Sequence, residues 1–138
     1  MRKLTVAVTV DDKMGIAFNK RRQSRDKLLI EDLCKYTDGD IYVTSYSAAL
    51  FEDFNDRIKI VVDPIRQCPD GGLCFLELTD IAEHIDNITQ LIIYRWNKVY
   101  PSDKKLGINI TESKLKLISS CDFIGKSHDK ITKEIYQK

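Results

Sequence analysis

Long hydrophobic runs are absent from this 138-residue sequence, and histidine, glycine, proline and tryptophan are scarce. A membrane-spanning helix needs roughly 20 consecutive apolar residues, and no run approaches that length. The first residues, "MRKLTVAVTVDD", combine two cations with a short apolar run, but acids follow without a small-residue cleavage site. We therefore interpret this segment as the first strand of a cytoplasmic protein that has no membrane partner.

Recognisable metal-binding and disulfide spacings are also missing. The two histidines, His84 and His128, lie far apart and have no visible catalytic partner, so we predict no direct chemical role for either. The four cysteines form no C-x-x-C pair; they are Cys34, Cys68, Cys74 and Cys121. This spacing predicts free thiols and no metal site.

The composition is that of an ordinary globular protein, with 43% apolar and 31% charged residues. The length predicts a single domain covering residues 1–138. The net charge of +1 hides an asymmetry, because the segments 1–36 and 101–138 are basic and the segment 37–100 is acidic. Such a distribution favours anionic partners at a local patch and argues against a general DNA-coating protein.

The hydrophobic pattern alternates between strands and helices. Strands are predicted at 4–10, 41–45, 57–64, 71–78 and 90–96, and helices at 24–36, 46–54 and 80–88, with Ser24 as an N-cap. Residues 97–103 fit a short helical turn. The segments 106–112, 114–125 and 131–138 are interpreted as strands, although the last could also form a helix. The order predicts an α/β fold, in which helices flank a mostly parallel central sheet that ends in an antiparallel hairpin.

The succession of elements resembles dihydrofolate reductase. "VAVTVDDKMGIAFN" is similar to that family's first strand and following loop, and the segment from Ser24 to Asp63 resembles its first helix, second strand, second helix and third strand. "LELTDIAEHI" is similar to its third helix, and "LIIYRWNKVYP" lies where the family has a strand, a glycine pair and a short helix. The resemblance covers nearly the whole chain, in topology more than in motif.

Departures from that family fall at its functional positions. Arg95 and Trp96 stand where the family has the glycine pair that lets the backbone approach its cofactor. Thr44 and Ser45 begin the segment that replaces its phosphate-site motif, and "FNKRRQS" replaces its Pro-Trp loop. Asp26 lies near the family's single acid on the first helix. The resemblance thus implies Asp26 as the catalytic acid and NADPH as the candidate cofactor, whereas the departures argue against orthodox reductase activity.

The opening segment, "VDD…G…FN.RRQSRD", is also similar to short bacterial proteins that carry the label ribonuclease Z. A nuclease of that type needs a cluster of histidines and aspartates around two metal ions about 3.5–4 Å apart. Two isolated histidines cannot supply such a cluster. The chemistry therefore argues against a metal-dependent nuclease.

The densest basic cluster is Lys20, Arg21, Arg22 and Arg25, just before the first predicted helix. Cations at a helix N-terminus are disfavoured by roughly 0.3–1 kcal/mol each, and a bound anion would remove that cost. Local pairing with nearby acids, or simple solvation of a surface loop, would also account for the cluster.

Two further groups of residues are ambiguous from sequence alone. Trp96 follows a buried strand, where it either stacks on a ligand ring or fills a crevice that has lost its cofactor, and Arg95 could bind a phosphate or carboxylate. Asp11 and Asp12 could act with Asp26 as metal ligands or acid–base groups, although paired aspartates more often stabilise turns.

The predicted fold brings several of these residues to one crevice. We expect Arg21, Arg22, Arg25, Asp26, Arg95 and Trp96 to share that neighbourhood, together with Thr44 and Ser45 as ligand-binding residues. A small anionic, planar, nucleotide-like ligand suits such a pocket. The alternatives are a non-catalytic module that binds RNA or a protein partner, and a reductase-like relic with a structural role.

Overall fold

The structure is a computed structural model that describes residues 3–138. Its main feature is a seven-stranded sheet. In chain order the strands are β1 (Leu4–Val10), β4 (Ile41–Val43), β5 (Ile58–Ile60), β6 (Gly72–Phe75), β7 (Gln90–Arg95), β9 (Lys116–Phe123) and β10 (Ile131–Gln137), and across the sheet the order is β5-β4-β6-β1-β7-β10-β9. Three short strands form a second sheet: β2 (Gly15–Phe18), β3 (Arg21–Arg22) and β8 (Lys104–Lys105).

The central sheet is parallel from β5 through β7 and antiparallel at the end formed by β10 and β9. The predicted α/β class, with a mostly parallel sheet and a C-terminal hairpin, is confirmed. The segment 131–138, which the sequence left open, is a strand that pairs with β7 on one side and β9 on the other.

The first helix, α1, runs from Lys27 to Tyr36 and begins later than predicted. Its N-cap is Asp26, whose Oδ1 accepts a hydrogen bond from the backbone N–H of Leu28 at 2.9 Å. Ser24 is therefore not the cap. An aspartate side chain accepts from the same orphan N–H groups as a serine does, and Asp26 takes this role two residues later in the chain.

The remaining helices are short: α2 (Ser45–Ala48), a 3₁₀ helix at Ala49–Arg57, α3 (Pro64–Gln67) and a second 3₁₀ helix at Ala82–Asn87. The predicted strand 57–64 stops early because Asp63 caps α3, in which Pro64 occupies the first turn. No helix in the described part of the chain is long and apolar enough to cross a membrane.

The small second sheet was not predicted. The basic segment folds as a hairpin of β2 and β3, with Asn19 and Lys20 in the left-handed region at φ 52° and 61°. Lys20, Arg21 and Arg22 therefore lie on the hairpin, and of the predicted basic cluster only Arg25 lies beside the N-terminus of α1. The predicted strand 106–112 and the predicted helical turn 97–103 are both irregular, and β8 lies between them.

Both faces of the central sheet are covered. On one face, Val6, Val8 and Ile93 pack against the irregular segments and the short second sheet. On the other face, α1 and the first 3₁₀ helix cover Ile92 and Tyr94. Neighbouring residues of one strand therefore point into different cores, as the two-residue repeat of a strand requires.

Candidate functional site

The site lies where the parallel strands end. Asp11 follows β1, Thr44 follows β4 and Trp96 follows β7, while Glu77 lies two residues beyond β6. The carboxyl ends of parallel strands meet at one edge of a sheet, which is the usual ligand crevice of open α/β folds. Because β10 runs antiparallel to β7, the turn 124–130 that precedes β10 reaches the same edge.

Asp26 is the most heavily hydrogen-bonded side chain at this edge. It is buried, with Oδ1 accepting from the backbone N–H of Leu28 and Lys126 and Oδ2 accepting from that of Ser127, each at 2.9 Å. His128 Nδ1 lies 2.8 Å from the same Oδ2. Burial alone would raise the pKa of Asp26, but His128 and the backbone donors outweigh it and hold that pKa well below its ordinary value. Asp26 is thus an ionised anchor for the turn.

His128 connects Asp26 to two hydroxyl groups. Its Nε2 lies 2.9 Å from Ser24 Oγ and 3.3 Å from the hydroxyl of Tyr100, and the ring stacks on Trp96 with centroids 4.6 Å apart. His128 is only 5% exposed. The structure therefore gives this histidine the partners that were not apparent in the sequence.

An ion pair fills the next part of the crevice. Arg22 makes a bidentate contact with the buried Glu77, with Nε 2.7 Å from Oε2 and Nη2 3.0 Å from Oε1. Ser47 Oγ donates to the same carboxylate at 2.7 Å, and the guanidinium lies 4.3 Å from the centre of the Tyr46 ring. The guanidinium of Arg22 is therefore already paired within the protein, with Glu77.

Asp11 organises the loop after β1. Its Oδ1 accepts from the backbone N–H of Lys13 and Gly15, and its Oδ2 accepts from the backbone N–H of Tyr100 and from Gln23 Nε2. Burial opposes the charge, but these donors lower the pKa of Asp11. Asp12 is exposed, and residues 3–138 hold no group of three or more potential metal-ligating side chains. Asp11 therefore stabilises the turn after β1, which is the structural alternative to a metal-binding or acid–base role.

A surface cleft of about 530 Å³, which we call the α1 cleft, opens between the start of α1, the first 3₁₀ helix and the turn 124–130. Its apolar lining includes Ile30, Leu50 and Phe54, and its cationic lining consists of Arg25, Lys27 and Lys126. It differs from the space beside Trp96, where only about 10 Å³ remains. A void of that size barely holds one water molecule.

The structure brings only some of the predicted site residues together. Arg22, Asp26 and Trp96 meet in the crevice, with Arg25 on the adjoining cleft. Arg21 is exposed on the β2–β3 hairpin. Arg95 lies on the other face of the sheet, where its Nε contacts Glu134 Oε1 at 2.5 Å.

The last two predicted residues belong to the α2 region. Thr44 caps α2 through its Oγ1, which accepts from Ser47 N at 3.4 Å. Ser45 is exposed. This helix has only four residues, so it offers no extended row of N–H groups to a phosphate.

Comparisons with known proteins agree on architecture alone. No family model and no curated protein matches the chain. Among solved structures, a dihydrofolate reductase from Enterococcus faecalis, complexed with NADP(H) and RAB-propyl, is similar with a TM-score of 0.67 and 10% sequence identity, covering 97% of this chain and 95% of that chain. The chain has a dihydrofolate reductase-like fold.

The cofactor that this fold implies does not suit the residues at the strand ends. Trp96 is 2% exposed and packs on His128. The Arg22–Glu77 pair fills the space beside it, and the remaining void is about 10 Å³. A void of that size does not hold a nicotinamide ring. The buried indole favours the interpretation that Trp96 fills the crevice.

Sequence reasoning overlooked Ser24, His128 and Glu77 in this dihydrofolate reductase-like fold. Ser24 was assigned to helix capping, and Glu77 was treated as part of a strand. His128 could have been found from topology, because a turn that enters an antiparallel neighbour of β7 must lie at the strand ends. Glu77 follows a strand in the same way that Trp96 does, and that position was the available signal.

Proposed function

We propose that this protein binds a small, planar, anionic ligand of nucleotide type in the α1 cleft. The cleft volume of about 530 Å³ lies within the range of about 300–1,000 Å³ that is typical of small-molecule sites. Ile30, Leu50 and Phe54 give it an apolar surface on which a ring could pack. The fold supports a ligand at this end of the sheet.

The charges around the cleft carry the proposal. Lys27 is paired with Asp53 across the opening, at 2.7 Å. The side chains of Arg25 and Lys126, in contrast, form no ion pair or hydrogen bond with any residue between 3 and 138, and both line the cleft, as Glu52 and Asp53 also do. Two cationic side chains that have no ion-pair or hydrogen-bond partner, next to an apolar surface, suit a ligand that has a ring at one end and a phosphate or carboxylate at the other.

Binding without orthodox reduction fits the same geometry. The Asp26 carboxylate already accepts from Leu28, Lys126, Ser127 and His128, so no oxygen is left facing a ligand as a proton donor. Its lowered pKa also keeps it deprotonated near neutral pH. These observations support a ligand-binding role over the reductase role implied by family resemblance.

Thermal-shift and calorimetric titrations with AMP, NADPH and folate test the proposal. We expect stabilisation by at least one of these anions, with a loss of at least tenfold in affinity in an Arg25→Ala/Lys126→Ala double variant. The matched control is Lys20→Ala/Arg21→Ala, which removes the same number of exposed cations from the hairpin outside the cleft. No shift with any probe, or an equal loss in the control, would overturn the proposal.

RNA binding stays a second candidate because Lys20 and Arg21 are exposed on the β2–β3 hairpin. The segment 94–100, "YRWNKVY", also combines cations with aromatic residues, but it is less accessible because Trp96 is buried and Arg95 is paired with Glu134. Phosphate contacts release counterions, so RNA affinity should fall steeply with salt and should be lost in the Lys20→Ala/Arg21→Ala variant. Affinity that does not change with salt would contradict this candidate.

A further inference from the structure

Ser24, His128 and Asp26 form a continuous hydrogen-bonded chain. The Ser24 Oγ to His128 Nε2 distance is 2.9 Å, and the His128 Nδ1 to Asp26 Oδ2 distance is 2.8 Å. Nucleophile, base and orienting carboxylate have this order and these separations in serine hydrolases of unrelated folds. Such a constellation is recognised by geometry and roles and not by fold or sequence position.

The network fixes which nitrogen of His128 carries the proton. Asp26 is ionised and accepts hydrogen bonds only, so Nδ1 must donate to it. In the neutral imidazole Nε2 is then the acceptor, and it faces the hydroxyl of Ser24. Stacking on Trp96 holds the ring in this orientation. His128 is therefore set to accept the Ser24 proton.

Tyr100 supplies the remaining requirement, a donor for a developing oxyanion. Nε2 has one lone pair, yet two hydroxyl groups lie near it, Ser24 at 2.9 Å and Tyr100 at 3.3 Å. Once Ser24 occupies that lone pair, the Tyr100 proton is available to another acceptor beside the nucleophile. Tyrosine hydroxyls stabilise oxyanions in this way.

A substrate can approach from the α1 cleft. Ser24 is partly exposed. The small void that it lines is also lined by Arg25, Asp26 and Ile30, all of which line the cleft. The void itself is too small for an acyl group, and Ser24 does not line the cleft, so the scissile bond has to reach Ser24 from the inner end of the cleft. This placement does not depend on which ligand the cleft binds.

We propose that Ser24 is the nucleophile of an esterase-type site that hydrolyses small carboxylic esters. Ser24 Oγ attacks the carbonyl carbon while its proton moves to His128 Nε2, and Tyr100 donates to the carbonyl oxygen. The carbon–oxygen bond to the alcohol then breaks, and His128 returns the proton to the departing alcohol. Water repeats the sequence on the acyl-serine, releasing the carboxylic acid and restoring Ser24. Asp26 acts through His128 as a positioning residue.

Labelling with a fluorophosphonate tests the nucleophile, because an activated serine displaces fluoride from phosphorus and gains a fixed mass. We expect one adduct per chain, mapped to Ser24 by peptide mass spectrometry and absent in Ser24→Ala. Ser120→Ala, which alters an exposed serine on β9, should be labelled like the wild type. No adduct under conditions that label chymotrypsin completely would overturn the proposal, as would an adduct that persists in Ser24→Ala.

The rate of fluorophosphonate labelling distinguishes a catalytic role of His128 and Asp26 from a purely structural role in holding the turn 124–130. In His128→Gln and Asp26→Asn the labelling rate of the folded fraction, measured beside circular dichroism, should fall at least tenfold, whereas a purely structural role would leave it unchanged. Should either variant not fold, Tyr100→Phe removes only one hydroxyl group. It should slow hydrolysis of p-nitrophenyl acetate by at least tenfold, and an unchanged rate would contradict the assignment of Tyr100.

Discussion

Trp96 and His128 stack with their ring centroids 4.6 Å apart and their planes inclined by 28°. Trp96 is 2% exposed and His128 is 5% exposed, so the pair is internal to the protein. The contact joins the end of β7 to the turn between β9 and β10. The stacked pair therefore belongs to the packed interior at the carboxyl ends of the parallel strands.

Replacing Trp96 should reveal how much this packing contributes. Trp96→Ala removes a large buried side chain, so we expect a loss of about 3–5 kcal/mol in the free energy of unfolding. Trp96→Phe retains a ring against His128 and should cost less. Urea titration followed by circular dichroism measures both variants. Tryptophan fluorescence cannot be used, because Trp96 is the single tryptophan and both substitutions remove it. Val62, 93% exposed, provides the control Val62→Ala, expected within about 0.5 kcal/mol of wild type.

The central strands could be predicted because their residues are buried on both faces. "LTVAVTV" and "QLIIYR" are continuous apolar or β-branched runs, the pattern that a parallel strand between two layers produces. The strands around 41–45, 57–64 and 71–78 were predicted too long, because polar residues at strand ends belong equally to caps and turns. The β2–β3 hairpin could not be predicted in this way, because its strands have four and two residues and are too short to show an alternating hydrophobic pattern.

The site was only partly predictable, and Arg95 and Trp96 illustrate the reason. As neighbours on an extended segment they must point to opposite faces, so they could not both line one pocket. Applying that two-residue rule would have separated them. His128 is different, because its contact with Asp26 spans 102 positions. Only the order of strands within the sheet could have brought the two together.

The Arg22–Glu77 contact predicts strong coupling between the two positions. Glu77 has 3% side-chain exposure, so Arg22→Ala leaves a buried charge unpaired and should cost about 3–5 kcal/mol. Adding Glu77→Gln should restore part of that loss, and a double-mutant cycle from urea titrations measures the coupling. Lys35→Ala, which breaks the exposed pair with Glu31, is the control and should change stability little. Additive effects of the Arg22 and Glu77 substitutions would contradict the expectation.

Gly125 permits the close approach of the β9–β10 turn to Asp26. A Cβ atom at this position would lie 2.5 Å from Asp26 Oδ2 and 2.9 Å from Ile131 Cδ1. The carboxylate is held by several donors and cannot retreat, so Gly125→Ala should lower stability by about 1–3 kcal/mol. Gly39→Ala is the matched control, because its nearest neighbour would be 3.8 Å away. Similar unfolding midpoints for the two variants would show that the turn adapts.

Cysteine reactivity should divide sharply between one position and the other three. Cys121 is the only exposed cysteine of the four, which all lie within residues 3–138, and burial raises the pKa of the Cys34 thiol. We expect Ellman's reagent to modify one thiol rapidly in the native protein and further thiols only after unfolding. Cys121→Ser should remove the fast phase, whereas Cys34→Ser should preserve it. A fast phase that survives Cys121→Ser would place another thiol at the surface.

Acid titration should identify Asp26 as a major source of pH-dependent stability. Its pKa is lowered in the folded state by His128 and by the backbone N–H groups of Lys126, Ser127 and Leu28, which together outweigh burial. A carboxyl with a lowered folded-state pKa contributes its full stability above about pH 5 and loses it as the pH falls toward that pKa. The stability difference between wild type and Asp26→Asn should therefore be largest near pH 7 and should shrink toward pH 3.

Asp53 provides the comparison that separates a buried anchor from a surface pair. Lys27 also lowers the pKa of Asp53, but both side chains are more than half exposed, so water and salt screen their interaction. Asp53→Asn should alter the pH profile far less than Asp26→Asn does, and 0.5 M salt should abolish its effect while leaving that of Asp26→Asn. Urea midpoints measured between pH 3 and pH 7 test this. Equal profiles for the two variants would mean that the Asp26 carboxylate is solvated and does not hold the turn.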